Sequence, residues 1–165
     1  MTKSGFALWV SFMSAMMVAC SPQAPTAKTP SSVATGPTKP ATTADDNTWG
    51  TYLSEQGKIH GKDVQGHPYI YLIPAGDNTG ATTRRKDEAQ SIQSAIGPIV
   101  IPGSLLIVGG PDPQQTNTFV AALPKAIKAN ALKDVVVLVV SDSLQKESIT
   151  KAFEPTGATL RFVAM

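Results

Sequence analysis

The chain has 165 residues, and its 14 basic and 12 acidic residues give a formal charge of +2. This near-neutral balance, without a basic block, argues against nucleic acid as a partner. Charged residues make up 16% of the chain, against roughly 25% in a usual soluble domain. Part of the shortfall lies in the first 47 residues, and the rest indicates a modestly apolar surface that contacts another molecule.

The first residues have the three parts of a secretory signal. Lys3 supplies a positive charge, residues 6–18 are apolar apart from small serines, and Ala19 precedes Cys20. Such a signal needs a charged start, roughly 7–15 apolar residues and small residues at the cleavage site. The apolar run is too short for a transmembrane helix, which takes about 20 residues. We therefore predict a signal peptide over residues 1–19.

The sequence Met17-Val18-Ala19-Cys20 resembles the lipobox of bacterial lipoproteins. In that class the cysteine thiol receives a diacylglyceryl group and the chain is cut just before it. The resemblance implies lipidation at Cys20 by fatty acids such as palmitate, with the lipid bilayer as a partner. Two or more acyl chains anchor a protein stably. The alternative is an ordinary signal peptide in which Cys20 stands by chance.

The lone cysteine favours acylation over a structural role, because disulfide frameworks use an even number of cysteines. In Gram-negative lipoproteins, an aspartate after the acylated cysteine tends to retain the protein in the inner membrane. Ser21 stands there in this chain. For a Gram-negative source, the resemblance implies an outer-membrane lipoprotein whose domain faces the periplasm, with the inner membrane and the cell surface as alternatives.

Residues 20–47 are rich in Pro, Thr and Ala, and Val33 is their one large apolar side chain. Such a segment cannot bury enough apolar surface to offset its ordering entropy. We predict that it is a disordered tether and that residues 48–165 form the periplasmic domain.

The rest of the chain alternates between strand and helix patterns. We predict strands over residues 69–73, 104–108, 134–140 and 159–164. The predicted helices cover residues 49–56, 83–96, 113–130 and 143–153. Thr48 is the predicted N-cap of the first helix, and Gly57 is its predicted end. In the last helix, Leu144 is predicted to face inward. The order β-α-β-α-β-α-β predicts the α/β class: a single small three-layer domain with a mainly parallel four-stranded sheet. The alternating last strand is predicted to be an edge, either parallel or antiparallel.

Polar side chains follow the first three predicted strands and form a candidate ligand edge of Asp77, Asn78, Asp112, Asp142 and Ser143. Ligands of open α/β sheets bind outside the carboxyl ends of the strands, where the strand order reverses. If the strands are neighbours, Asp77, Asp112 and Asp142 converge on a divalent cation or a sugar hydroxyl. The alternative is that these residues cap the helices that follow.

Two other groups of residues are weaker candidates for a functional site. The first is His60 and His67, with Asp63 between them, and their spacing matches no zinc pattern. The second is the basic cluster Arg84-Arg85-Lys86, which is predicted to be a solvated face. The alternative is that it contacts an acidic partner or a lipid headgroup. The sequence contains no P-loop and no Gly-x-Ser-x-Gly elbow. We therefore assign no catalytic residue, metal or cofactor.

The leading hypothesis is a membrane-tethered, non-catalytic protein-binding or accessory module of an envelope or secretion assembly. One alternative is an inhibitor or immunity protein against a periplasmic lytic enzyme. Another is a small hydrolase or metal-dependent enzyme that uses Asp77, Asp112 and Asp142.

Overall fold

The computed structural model describes residues 36–165. The predicted signal peptide, Cys20 and the first part of the predicted tether lie outside the described residues. The described chain contains four helices and four strands, in the order α1 Asp46–His60, β1 Pro68–Leu72, α2 Thr79–Ala95, β2 Leu105–Gly109, α3 Pro113–Ala122, β3 Val136–Ser141, α4 Lys146–Phe153 and β4 Thr159–Ala164.

The four strands form one parallel sheet in the order β1-β2-β3-β4. Tyr69, Leu106 and Val137 are register partners across three of them. The predicted α/β fold with a parallel four-stranded sheet is confirmed. The last strand is an edge, as predicted, and it is parallel rather than antiparallel.

The two faces of the sheet have separate hydrophobic clusters. Leu106, Val108 and Val139 belong to the cluster that also contains the buried residues of α2, α3 and α4. Ile107 and Leu138 point to the opposite face, where α1 supplies its own apolar side chains. The residues of α1 in that cluster are Trp49, Tyr52 and Leu53. The domain therefore has three layers, with one helix on one face and three on the other.

Helix α1 is longer than the sequence predicts. Its N-cap is Asp45, and Thr48 lies in the first turn and donates its backbone N–H to Asp45 Oδ1 at 2.8 Å. Gly57 does not end the helix. It is buried within it, and its missing side chain lets α1 lie close to Ile107 of β2. The helix ends at His60, with Gly61 as its C-cap.

The predicted tether is partly folded onto the domain. The indole N–H of Trp49 donates to the carbonyl of Ala41 at 3.1 Å, and Ala44 packs against the α1 cluster. This packing was missed because small residues between prolines carry no periodic signal of their own.

The remaining helices differ from prediction at their ends. Helix α2 begins at Thr79 after the N-cap Asn78, and α3 ends at Ala122, followed by a 3-10 turn that contains Pro124. The inward orientation predicted for Leu144 is wrong, because this side chain precedes α4 and is 87% exposed. Among residues 36–165, no helix combines the length and the apolar character that crossing a bilayer requires.

Candidate functional site

The candidate ligand edge lies where the strands end and the helices begin. The first turn of α1 is joined to α2 there, because Arg84 of α2 forms a 2.8 Å ion pair with Asp46 of α1. We call this side of the domain the carboxyl edge. It comprises the loops of residues 73–78, 110–112 and 142–145 together with the start of α1.

Two of the candidate residues are helix caps. The side chain of Asn78 accepts the backbone N–H of Ala81 at 2.8 Å. Asp112 Oδ1 accepts the backbone N–H groups of Gln114 and Gln115 at 2.9 and 3.1 Å. Both side chains thereby satisfy N–H groups that a helix start leaves without intrahelical partners.

Two others accept hydrogen bonds from side chains of α3. Gln115 Nε2 donates to Asp77 Oδ1 at 2.6 Å, and Asn117 Nδ2 donates to Asp142 Oδ1 at 2.7 Å. Helix α3 therefore ties the loop after β1 and the loop after β3 to its own first turns. The side chain of Gln115, in the first turn of α3, is directed to Asp77.

Ser143 completes the candidate set. Its carbonyl accepts the N–H of Lys146 at 3.2 Å at the start of α4, and the residue is exposed. The structure thus gives Asn78 and Asp112 a capping role, and places Asp77 and Asp142 in loop-holding hydrogen bonds. Among residues 36–165, no three His, Cys, Asp or Glu side chains are grouped so that they could hold a metal ion.

Asn117 is the residue of this edge that sequence reasoning missed. It is 1% exposed, and its Oδ1 is buried without a hydrogen-bond partner among the described residues. Its position three residues before the buried Val120 places it on the apolar stripe of α3. A polar amide on that stripe is the sequence signal that could have identified it.

The basic cluster is a solvated face only in part, because Arg84 and Lys86 are exposed whereas Arg85 is turned into contacts within the domain. Arg84 pairs with Asp46, and Arg85 donates from Nη1 to the carbonyls of Pro74 and Gly76 at 2.9 and 2.6 Å. The Arg85 side chain is only 14% exposed. These contacts hold the loop that carries Asp77, and Lys86 remains exposed on α2.

The segment between His60 and His67 is organised around Asp63. Arg161 of β4 donates from Nη1 and Nη2 to the two carboxylate oxygens of Asp63, each at 2.6 Å. The bonds from Arg161 lower the pKa of Asp63 to about 2. Arg161 Nη1 also donates to the backbone carbonyl of His60 at 2.6 Å. This loop therefore fastens the end of α1 to the edge strand.

A second candidate site is a groove between α1 and β4. Its volume is about 620 Å³. Residues 36–39 form one wall, and the others come from Tyr52, Gln56, Ile59 and His60 of α1 and from residues 162–165. We call it the α1–β4 groove. In the described part of the chain, the outer edge of β4 pairs with no other strand.

Comparison with known proteins identifies no relative. No protein-family model, no curated protein and no solved structure matches this chain.

Proposed function

We propose that this protein is a bacterial lipoprotein, anchored by acylated Cys20, whose folded domain is a non-catalytic protein-binding or accessory module of an envelope or secretion assembly. The lipobox-like Met17-Val18-Ala19-Cys20 supports the anchor. Ser21 supports an outer-membrane location with the domain in the periplasm.

The single observation that carries the binding role is the α1–β4 groove beside the outer edge of β4, which pairs with no strand of residues 36–165. An open strand edge offers backbone N–H and C=O groups to an incoming strand. Strand addition obtains affinity from main-chain hydrogen bonds and specificity from pockets for alternate side chains. Tyr52, Ile59 and Phe162 supply apolar surface next to the β4 edge. We therefore assign an extended segment of a partner protein as the occupant.

The contacts of the carboxyl edge support a structural role for its acidic residues. Asp112 stabilises α3, and Asp77 and Asp142 each hold a loop to α3. Because these acidic side chains are engaged in contacts within the domain, we assign the partner to the α1–β4 groove.

Position-specific crosslinking tests the proposal. The lipoprotein in its own envelope carries a photoreactive residue at Ile59 or Ala164, both exposed in the groove, or at Gln90, exposed on α2. We expect the same protein to be trapped from both groove positions and not from Gln90. Equal products from Gln90, or none from the groove, contradict the proposal. A trapped lytic enzyme, inhibited by this protein, favours the inhibitor hypothesis instead.

A further inference from the structure

The amino ends of the strands form a second edge with a distinct chemistry. The loops of residues 61–67, 97–104, 127–135 and 154–158 meet there, and we call this side the amino edge. Backbone hydrogen bonds join them in a row: Gly66 to Gly103 at 3.0 Å, Gly103 to Asp134 at 2.8 Å, and Asn130 to Pro155 at 2.9 Å. The loops are therefore one continuous surface.

Two isoleucines project from the middle of the amino edge. Ile99 and Ile101 are each 53% exposed, whereas Val100 between them is 1% exposed. The backbone N–H groups of Ile99 and Val100 both donate to the carbonyl of Ala95, and the hydroxyl of Tyr69 donates to the carbonyl of Ile99. The buried valine and these bonds hold the loop in a conformation that presents both isoleucines to solvent.

Exposed lysines lie in the segments on either side of the loop that carries the isoleucines. The last turn of α1, the 3-10 turn of residues 123–126 after α3 and the loops of the amino edge contain five of them: Lys58, Lys62, Lys125, Lys128 and Lys133. The same loops contain three carboxylates, and one of these, Asp63, is paired with Arg161. The amino edge is therefore positive. Lysines near helix carboxyl ends complement the helix dipole, but that does not account for two exposed isoleucines among them.

The proposed anchor at Cys20 is close in sequence to the first described residue, Gly36. Residues 36–39 line the α1–β4 groove together with Ile59 and His60, at the end of α1 that borders the amino edge. Cys20 lies 16 residues before Gly36, and a fully extended chain of that length spans at most about 55 Å. An anchor at Cys20 therefore permits the domain to touch the bilayer that holds it.

We propose that the amino edge docks onto an anionic phospholipid surface. Ile99 and Ile101 enter the headgroup region, and the five lysines lie over the lipid phosphates. Basic residues next to an anionic leaflet attract it within a Debye length, and apolar side chains among them add hydrophobic burial. The inference deepens the proposed function, since the anchor keeps this surface near lipid, but its test does not depend on acylation.

The test uses the mature chain, residues 20–165, carrying Cys20→Ser so that no acyl chain contributes. Among residues 36–165, Ala44 is the first residue that packs on either hydrophobic cluster, and the mature chain retains all of these residues. It is floated with vesicles of equal parts phosphatidylethanolamine and phosphatidylglycerol, and with phosphatidylcholine vesicles. We expect flotation with the anionic vesicles alone, reduced by added salt.

Two variants remove the proposed contacts separately. The triple change Lys125→Gln, Lys128→Gln and Lys133→Gln is expected to lower the partition coefficient on the order of 100-fold, because each basic residue near such a surface contributes about fivefold. The double change Ile99→Ser and Ile101→Ser is expected to lower it as well, with unchanged melting. Since all five side chains are exposed, neither variant disturbs the core.

Matched controls alter the same residue types elsewhere. They are the double change Lys86→Gln and Lys146→Gln, and the single change Leu144→Ser at the most exposed large apolar side chain among residues 36–165. We expect both controls to float like the parent chain. A parent chain that stays with the soluble fraction overturns the inference, as does equal loss in controls and amino-edge variants. Groove crosslinking at Ile59 and Ala164 reports separately on the proposed function.

Discussion

Arg161 holds both carboxylate oxygens of Asp63, a residue 98 positions earlier in the chain, at 2.6 Å. The same guanidinium donates to the backbone carbonyl of His60, so one side chain of the edge strand fastens both the last residue of α1 and the loop that follows. Of the helices in residues 36–165, only α1 covers this face of the sheet. This contact therefore fixes the helix that forms one wall of the α1–β4 groove.

The Asp63–Arg161 pair predicts a specific acid sensitivity. The pKa of Asp63 is lowered from 3.8 to about 2 in the folded chain by the bonds from Arg161. A carboxyl group with a depressed folded pKa stabilises the fold above its unfolded pKa, and loses that contribution as pH falls through the folded value. We expect Asp63→Asn to unfold more easily than the parent chain above pH 3.8, and the difference to disappear near pH 2. Urea unfolding across this range measures it.

The control for this prediction is Asp87→Asn, an exposed carboxylate on α2. It is expected to change the free energy of unfolding little across the same pH range. A difference between the parent chain and Asp63→Asn that persists unchanged at low pH contradicts the role assigned to the pair.

Substitution of glycine by alanine is predicted to have opposite effects on the free energy of unfolding at two positions of α1. A Cβ atom added at Gly50 meets no heavy atom within 4 Å, whereas a Cβ on Gly57 overlaps the side chain of buried Ile107. Gly50→Ala is expected to raise the free energy of unfolding by about 1 kcal/mol, from helix propensity. Gly57→Ala is expected to lower it, because overpacking costs about 1–3 kcal/mol. Denaturant unfolding of both variants is the measurement, and equal effects contradict the close packing of α1 on β2.

The carboxyl-edge acids are expected to differ in their contribution to stability. Asp112→Ala removes the N-cap of α3 and is expected to cost about 1 kcal/mol. Asp77→Ala removes one exposed hydrogen bond and the 3.9 Å ion pair with Arg85, and it is expected to cost less, since the N-cap of α2 is Asn78. Thermal melting compares them. Neither variant is expected to abolish groove crosslinking, and loss of crosslinking at unchanged melting temperature places the partner at this edge instead.

Asn117 gives a charge-based prediction. Its Nδ2 donates to Asp142 Oδ1 at 2.7 Å, so Asn117→Asp places two carboxylates in contact where little water reaches them. We expect a loss on the order of 3 kcal/mol at neutral pH, which diminishes in acid as one carboxyl group takes up a proton. The control is Thr118→Asp, exposed on the same helix. Equal unfolding of the two variants at neutral pH contradicts the buried contact.

Strand positions were predictable because a buried parallel strand is an unbroken run of apolar residues in the sequence. The unbroken apolar run of residues 105–108 and the valine-rich run of residues 135–140 coincide with β2 and β3 within two residues. The alternation of these runs with helix patterns predicted the parallel sheet. The strand order followed only from the coordinates, because neighbouring strands are selected by tertiary packing.

The helix ends and the site were less predictable for a physical reason. Glycine normally marks a helix end, but Gly57 lies inside α1 because the sheet beneath it leaves no room for a side chain. Asp112 was identifiable as a cap from its neighbour Pro113. The bonds from Gln115 to Asp77 and from Asn117 to Asp142 join positions 38 and 25 residues apart. Local sequence patterns do not encode such contacts.

The intact mass of the protein purified from membranes tests the central proposal most directly. We predict a mature chain that begins at Cys20 and carries a diacylglyceryl group on its thiol, located on the N-terminal peptide after digestion. A free thiol at Cys20, or a chain that retains residues 1–19, contradicts the lipoprotein account.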